Sequence, residues 1–153
     1  MCHHQKMDAY SYQCGVIDAF NEVVKAGVKR LALSHPVDTL EQAQALLPFS
    51  EEICKQYGNR CYLEESLLIT DLFPAELNEG KYNILYYRDE ADFQRYLRLK
   101  EEKQQLIQQG AYCGEARRRI AFEFGRLLSY SDEAIERYLE TTAEHNRKRQ
   151  TNE

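Results

Sequence analysis

The chain has 153 residues, of which 43% are hydrophobic and 29% charged, with seven glycines and three prolines. That balance excludes a disordered or fibrous protein, and the length suits one domain that buries roughly two-thirds of its unfolded surface. The formal net charge of -5 excludes a protein held mainly on phosphate backbones, because that attraction needs clustered Lys and Arg.

Along the chain, Tyr12, Val16, Phe20, Val23 and Val24 recur at three- and four-residue steps and predict one apolar face of a helix. Gly27 stands where that helix would end, and Val28, Leu31 and Leu33 predict a short strand after it. Asp38 or Thr39 would cap a second helix, with Gln42 three beyond Thr39 as a capping box requires. Pro48 predicts a kink or break in that helix, Ser50 would recap its second half and Gly58 would end it.

Two further strands are expected, one through Tyr62, Leu63, Leu67, Leu68 and Ile69 and one through Ile84, Leu85, Tyr86 and Tyr87. The second is mostly apolar, as a central strand would be. Pro74, Asn78 and Gly80 turn the chain between them. A helix opened by acidic residues then carries Phe93, Tyr96 and Leu97, lapses into the polar run KEEKQQ, and recovers at Leu106 and Ile107. A helix polar all round at its centre projects or bridges to another surface. After Gly110 and Cys113-Gly114, a fourth helix places Ala116, Ile120, Phe124, Leu127 and Leu128 on one face, and Ser131 caps a fifth with Ala134, Ile135, Tyr138 and Leu139 inward. The basic runs Arg117 to Arg119 and Arg147 to Arg149 read as solvated, charge-paired faces, since consecutive helical residues point about 100° apart.

The expected fold is α+β or α/β: a small mixed sheet of about three strands flanked by helices, with a helical C-terminal third. Residues 1–8 would form a flexible N-terminus, residues 9–145 a single globular domain and residues 146–153 a flexible tail. The last half, through YNILYYRDEADF and then Gly125, Arg126, Leu127, Leu128 and Tyr130, resembles an uncharacterised prokaryotic family. In that family a strand ends in an acidic turn, a helix follows, and a Gly-Arg-Leu-Leu-Gly-Tyr-Pro motif leads to a Cys-Cys pair. Here Ser129 stands for the motif's second glycine, Ser131 for its proline, and Glu133 with Ala134 for the two cysteines. The resemblance spans roughly residues 60 to 139 in order of elements, implies the fold class and carries no activity.

Candidate chemistry centres on Ser34, His35 and Asp71. At the carboxyl ends of parallel strands, side chains are held on a rigid rim, where Ser, His and Asp can serve as nucleophile, base and orienter. Ser34 and His35 are neighbours on an extended chain and point apart, which leaves His35 as a general base oriented by Asp71 as the sharper form of the idea. Cys2, His3 and His4 are metal-ligand types without a second pair to complete a structural site. An inward glutamate, Glu64 or Glu65, would need an arginine partner such as Arg60, Arg88 or Arg30, and Cys113 lies between turn glycines without an adjacent base.

The five cysteines, Cys2, Cys14, Cys54, Cys61 and Cys113, are odd in number and lack metal spacing, which fits reduced thiols. No segment approaches the roughly 20 apolar residues of a membrane span. These features predict a soluble cytoplasmic protein without cofactor, metal, nucleic acid or membrane contact. It would act by binding, as a homo-oligomer or with a protein partner, through an interface at Tyr96, Leu106 and Ile107. The rival is a small hydrolase or acid-base enzyme built on His35 and Asp71.

Overall fold

In the computed structural model, which describes residues 5–152, five helices surround a three-stranded sheet. The order is α1 (Ala9–Lys25), β1 (Leu31–Leu33), α2 (Leu40–Tyr57), β2 (Arg60–Glu64), a single 3-10 turn (Ala75–Leu77), β3 (Asn83–Tyr87), α3 (Glu90–Gln108), α4 (Gly114–Leu127) and α5 (Asp132–Thr151). The strands lie in the order β1-β3-β2, and both outer strands run antiparallel to β3. The fold is therefore α+β; the sheet is antiparallel throughout rather than mixed, which sets aside the α/β alternative.

Every residue of β3 is buried, so the strand feeds a core on each face of the sheet. Ile84 and Tyr86 meet Ile17 and Val24 of α1 and Leu46, Ile53 and Cys54 of α2. Leu85 and Tyr87, turned the other way by the two-residue period of a strand, meet Phe93, Tyr96 and Leu99 of α3, Ile120 and Phe124 of α4, and Ile135 of α5. The buried stripe of α1 runs through Ile17, Asn21 and Val24, rotated from the expected Tyr12–Val16–Phe20 face so that α1 sits on both α2 and the sheet.

Helix α2 runs through Pro48 without the break that is the alternative to a kink there. Both its ends are specified: Thr39 and Gln42 close a full capping box, and Gly58 terminates it at φ 73°. Its buried face of Ala43, Leu46, Ser50, Ile53 and Cys54 offsets the roughly 3 kcal/mol that an interior proline costs. Ser50 recaps nothing; its hydroxyl is buried 2.7 Å from the Tyr86 phenol oxygen, and burial pushes that phenol's pKa well above its usual value.

Strand β2 stops at Glu64 instead of running to Ile69, and the reason is a buried charge. The Glu64 carboxylate, 3% exposed, accepts the Ser66 N–H at 3.0 Å, the Tyr96 hydroxyl at 2.7 Å and the Lys100 ammonium at 2.9 Å. Its cationic partner is thus Lys100, not the arginines expected from the sequence. The Ser66 contact bends the chain out of the ladder, and Leu67, Leu68 and Leu72 enter the core as irregular backbone. The polar centre of α3 does not project either. Lys100 reaches Glu64, Arg95 pairs with Glu123, and Glu102 pairs with Arg119 on α4.

The α4–α5 corner follows from three local features. Gly125 is buried where an added Cβ would lie 2.6 Å from Ile135 Cγ1, so the two helices approach there on bare backbone. Arg126 forks onto Asp132 with two bonds of 2.9 Å. Ser129 sits at φ 67°, the left-handed region that favours glycine, and its hydroxyl recovers part of that cost by accepting the Arg30 N–H at 2.9 Å. Helix α5 continues to Thr151 rather than fraying from Asn146, tied by Lys148 to Glu144 at 2.8 Å and by Arg149 to Glu76 at 3.2 Å. Among the described residues no helix is long and apolar enough to cross a membrane.

Two substitutions test this packing in urea unfolding. Gly125→Ala is expected to lower stability by about 1–3 kcal/mol through overpacking against Ile135, and a neutral result would mean that α5 moves freely. Glu64→Ala is expected to cost about 3 kcal/mol, because Lys100 and the Tyr96 hydroxyl lose their shared acceptor; a loss below ~1 kcal/mol would show that water replaces it.

Candidate functional site

The strand β1 leaves the sheet by an irregularity that begins at Ser34. Leu33 pairs with Leu85, whereas the next bridge joins Val37 to Tyr82, so the register shifts by one residue across Ser34, His35 and Pro36. Ser34 still donates its N–H to the Ile84 carbonyl at 2.9 Å. The return bond is made by its side chain: the Ile84 N–H donates to Ser34 Oγ at 2.8 Å, and Oγ donates to the His35 carbonyl at 3.2 Å. The displaced Ser34 carbonyl accepts instead from Asn83 Nδ2 at 3.2 Å.

This places Ser34 in the ladder, buried at 4% exposure, with no lone hydroxyl to act as a nucleophile. His35 is exposed and stacks on the Tyr12 ring with centroids 5.9 Å apart and planes 13° from parallel. Among the described residues no carboxylate bonds to its imidazole. Asp71 lies well past the end of β2, and both its oxygens accept from Arg117 at 2.6 Å. The parallel-strand rim is corrected in one particular: β1 and β2 do run the same way, on opposite sides of β3, but the acid at the shared edge is Glu64, opposite Asn83. Ser34, His35 and Asp71 therefore do not form one catalytic unit.

What the shared edge carries is a cleft of about 490 Å³, within the range of ligand pockets. Its walls are Phe20 of α1, Leu33 of β1, Phe73 and Leu77 around the 3-10 turn, and Leu128 and Tyr130 of the α4–α5 corner. Phe73 meets Tyr130 and Tyr138 edge-on, and the two tyrosines lie tilted against each other, with centroids 5.1 to 6.3 Å apart. Asp71 lines other, smaller cavities with Arg117.

Five charged or amide groups, Lys29, Glu76, Asn78, Lys81 and Asn83, punctuate these apolar walls. Lys29 donates from Nζ to the Leu128 carbonyl at 2.7 Å and lies 4.8 Å above the Tyr130 ring; burial lowers its pKa from the usual lysine value. Lys81 pairs with Asp38 at 3.2 Å. Glu76 is held from outside by His145 and Arg149, and the hydrogen bond from His145, first among its contacts, keeps the carboxyl below its ordinary pKa. Asn83, 1% exposed, spends its Nδ2 on Ser34 and leaves Oδ1 buried without a hydrogen-bond partner. Buried polar atoms without partners are few in any native protein; of the three among the described residues, Gln13 Oε1, Asn59 Oδ1 and Asn83 Oδ1, this one belongs to a residue that lines the cleft. Sequence reasoning missed Lys29 and Asn83 because neither belongs to a motif; Asn83 opening an otherwise apolar strand was the one available signal.

The expected interface is divided in the same way. Tyr96 is fully buried, with its hydroxyl donating to Glu64 and accepting the Leu68 N–H, so it belongs to the core. Leu106 packs against that core, and Ile107, 47% exposed, is the one of the three that faces out. Among the described residues Cys14, Cys54, Cys61 and Cys113 are free, and the buried Cys54 thiol donates to Asn21 Oδ1 at 3.4 Å. Cys113 precedes α4 and is exposed. Cys2, His3 and His4 lie outside the described residues.

The bulge separates two neighbouring side chains that look alike in the sequence. Ser34→Ala is expected to cost about 1–3 kcal/mol, because it leaves the Ile84 N–H buried without an acceptor. His35→Ala is expected to stay within ~0.5 kcal/mol of the parent, as an exposed residue should. Thermal and urea unfolding of both variants check this, and equal effects would contradict the ladder role of the serine hydroxyl.

No protein-family model, curated protein or solved structure matches the chain.

Proposed function

We propose that the protein is a non-catalytic binding protein of the cytoplasm whose working surface is the cleft at the open edge of the sheet. The observation that carries this reading is the cleft of about 490 Å³ with apolar and aromatic walls, one of whose lining residues, Asn83, keeps a buried Oδ1 without a partner. A preformed, mostly apolar cavity with a few placed polar groups is the usual form of a small-molecule site, and a ligand that donates to this oxygen would satisfy an atom the fold leaves unpaired. The hydrolase alternative has less support. Among the described residues its histidine has no orienting acid, its serine holds the sheet edge, and its aspartate is paired with Arg117.

Regulation through a protein partner or a second copy of the chain belongs to the same reading. Leu77, a cleft wall 51% exposed, and Tyr138, 38% exposed and packed on the cleft residues Phe73 and Tyr130, offer a partner a surface that senses whether the cleft is filled.

The test is a screen of metabolite-sized compounds by amide-correlation spectra of the labelled protein. Hits are expected to perturb amides of Leu33, Asn83, Leu128 and Tyr130 together, and to bind at least tenfold more weakly to Asn83→Leu, a variant whose dispersed spectrum reports that the fold is kept. Hits that map elsewhere, or a screen with none, would overturn the assignment of the cleft.

A further inference from the structure

We infer that the cleft takes a small amphipathic monocarboxylic acid: an apolar, ring-bearing body with its carboxylate at Lys29 and a hydroxyl or N–H donor at Asn83. The inference rests on the cleft being the binding surface and names what it binds.

The charges around the cavity decide the sign of the ligand. Lys29, Lys81 and Glu76 line it together with the exposed His35. Lys81 already has Asp38 as counter-ion, and Glu76 has His145 and Arg149. Lys29 has no carboxylate partner among the described residues. Its ammonium carries three donors, of which one serves the Leu128 carbonyl, and it is half-buried against the Tyr130 ring, where water is a poor substitute for an acceptor. A carboxylate there would complete the ion pair and keep the ammonium seated over the ring. A cationic ligand would meet the uncompensated Lys29, and a phosphate dianion would need more donors than one ammonium supplies.

Asn83 decides the other end. Its Nδ2 is committed to the Ser34 carbonyl, so the free Oδ1 accepts only. An acid placed against it would face a second acceptor, which fixes the ligand's direction: anion toward the Leu128–Tyr130 corner, donor toward the end of β3. Phe20, Leu33 and Phe73 line the same cleft, and these surfaces reward a flat apolar body rather than a sugar-like one.

The experiment uses para-hydroxybenzoate, para-hydroxyphenylacetate and para-hydroxyphenylpropionate, each beside its methyl ester and its analogue without the hydroxyl, titrated into the full chain by amide-correlation spectra. At least one acid is expected to shift the cleft amides and to bind about tenfold more tightly than its ester, the worth of one hydrogen bond to a charged group. In Lys29→Gln, which keeps a donor for the Leu128 carbonyl, that acid is expected to fall to the affinity of the ester while the ester is unchanged. In Asn83→Leu the benefit of the para hydroxyl should vanish. Esters that bind in the cleft as well as the acids would overturn the carboxylate and leave the cleft standing as a binding site. If no member of the panel shifts the cleft amides at millimolar concentration, this ligand class is excluded, and the compound screen alone then decides the cleft.

Discussion

Everything in this fold hangs on a five-residue strand buried on both faces. With outer strands of three and five residues, the sheet is too small to stand without helices, and β3 supplies side chains to two cores at once. Ile84 and Tyr86 organise α1 and α2, while Leu85 and Tyr87 organise α3, α4 and α5. Because side chains alternate strictly along a strand, slipping β3 by one residue would exchange the two cores. On the β1 side the register is pinned by the Ser34 hydroxyl, which accepts the Ile84 N–H, and β2 ends where the Glu64 carboxylate takes the Ser66 N–H.

The same economy governs the charges. The long helix α3 is polar at its centre because it lies between a buried carboxylate and an arginine-bearing helix. Lys100 reaches inward to Glu64, while Arg95 and Glu102 meet Glu123 and Arg119 on α4. Exposed pairs of this kind add little stability each, but the Lys100–Glu64 contact includes a carboxylate that water does not reach, and it converts a strand into an irregular segment at Ser66. The basic run Arg117 to Arg119 is spread over four partners, Asp71, Glu136, Glu102 and Glu123, and so forms no anion-binding stripe.

The cleft is a consequence of how the sheet ends. The one-residue shift at Ser34 turns the chain toward α2 and releases the Ser34 carbonyl to Asn83, and the αL turn at Ser129 brings Leu128 and Tyr130 back over the same edge. Between them the sheet edge stays open, lined by apolar side chains and two polar groups whose bonding is incomplete. Those two groups, Lys29 and Asn83, come from the segment before β1 and the first residue of β3. Neither has a sequence neighbour that marks it.

Local chemistry made much of this legible in the chain. The capping box at Thr39 and Gln42, the stop at Gly58, the serine cap of α5 and the apolar run of β3 each depend on a few consecutive residues, and all appear where their spacing places them. The corner residues also have local work: Gly125 admits Ile135, Arg126 forks onto Asp132, Leu127 and Leu128 enter the core, and Tyr130 closes the corner. What no window of sequence contained were the partners: Tyr86 for Ser50, Lys100 for Glu64, Arg117 for Asp71, Tyr12 for His35. Each pair is joined across the fold, so the tertiary structure alone decided that α2 passes through its proline, that Tyr96 is core rather than interface, and that the serine and histidine of LALSHPVD part company. The amino-acid sequence determined the elements, because helix caps and strand alternation act over a few bonds; the packing determined the cleft, because an unpaired oxygen and an unmatched ammonium come to one edge only in the folded arrangement.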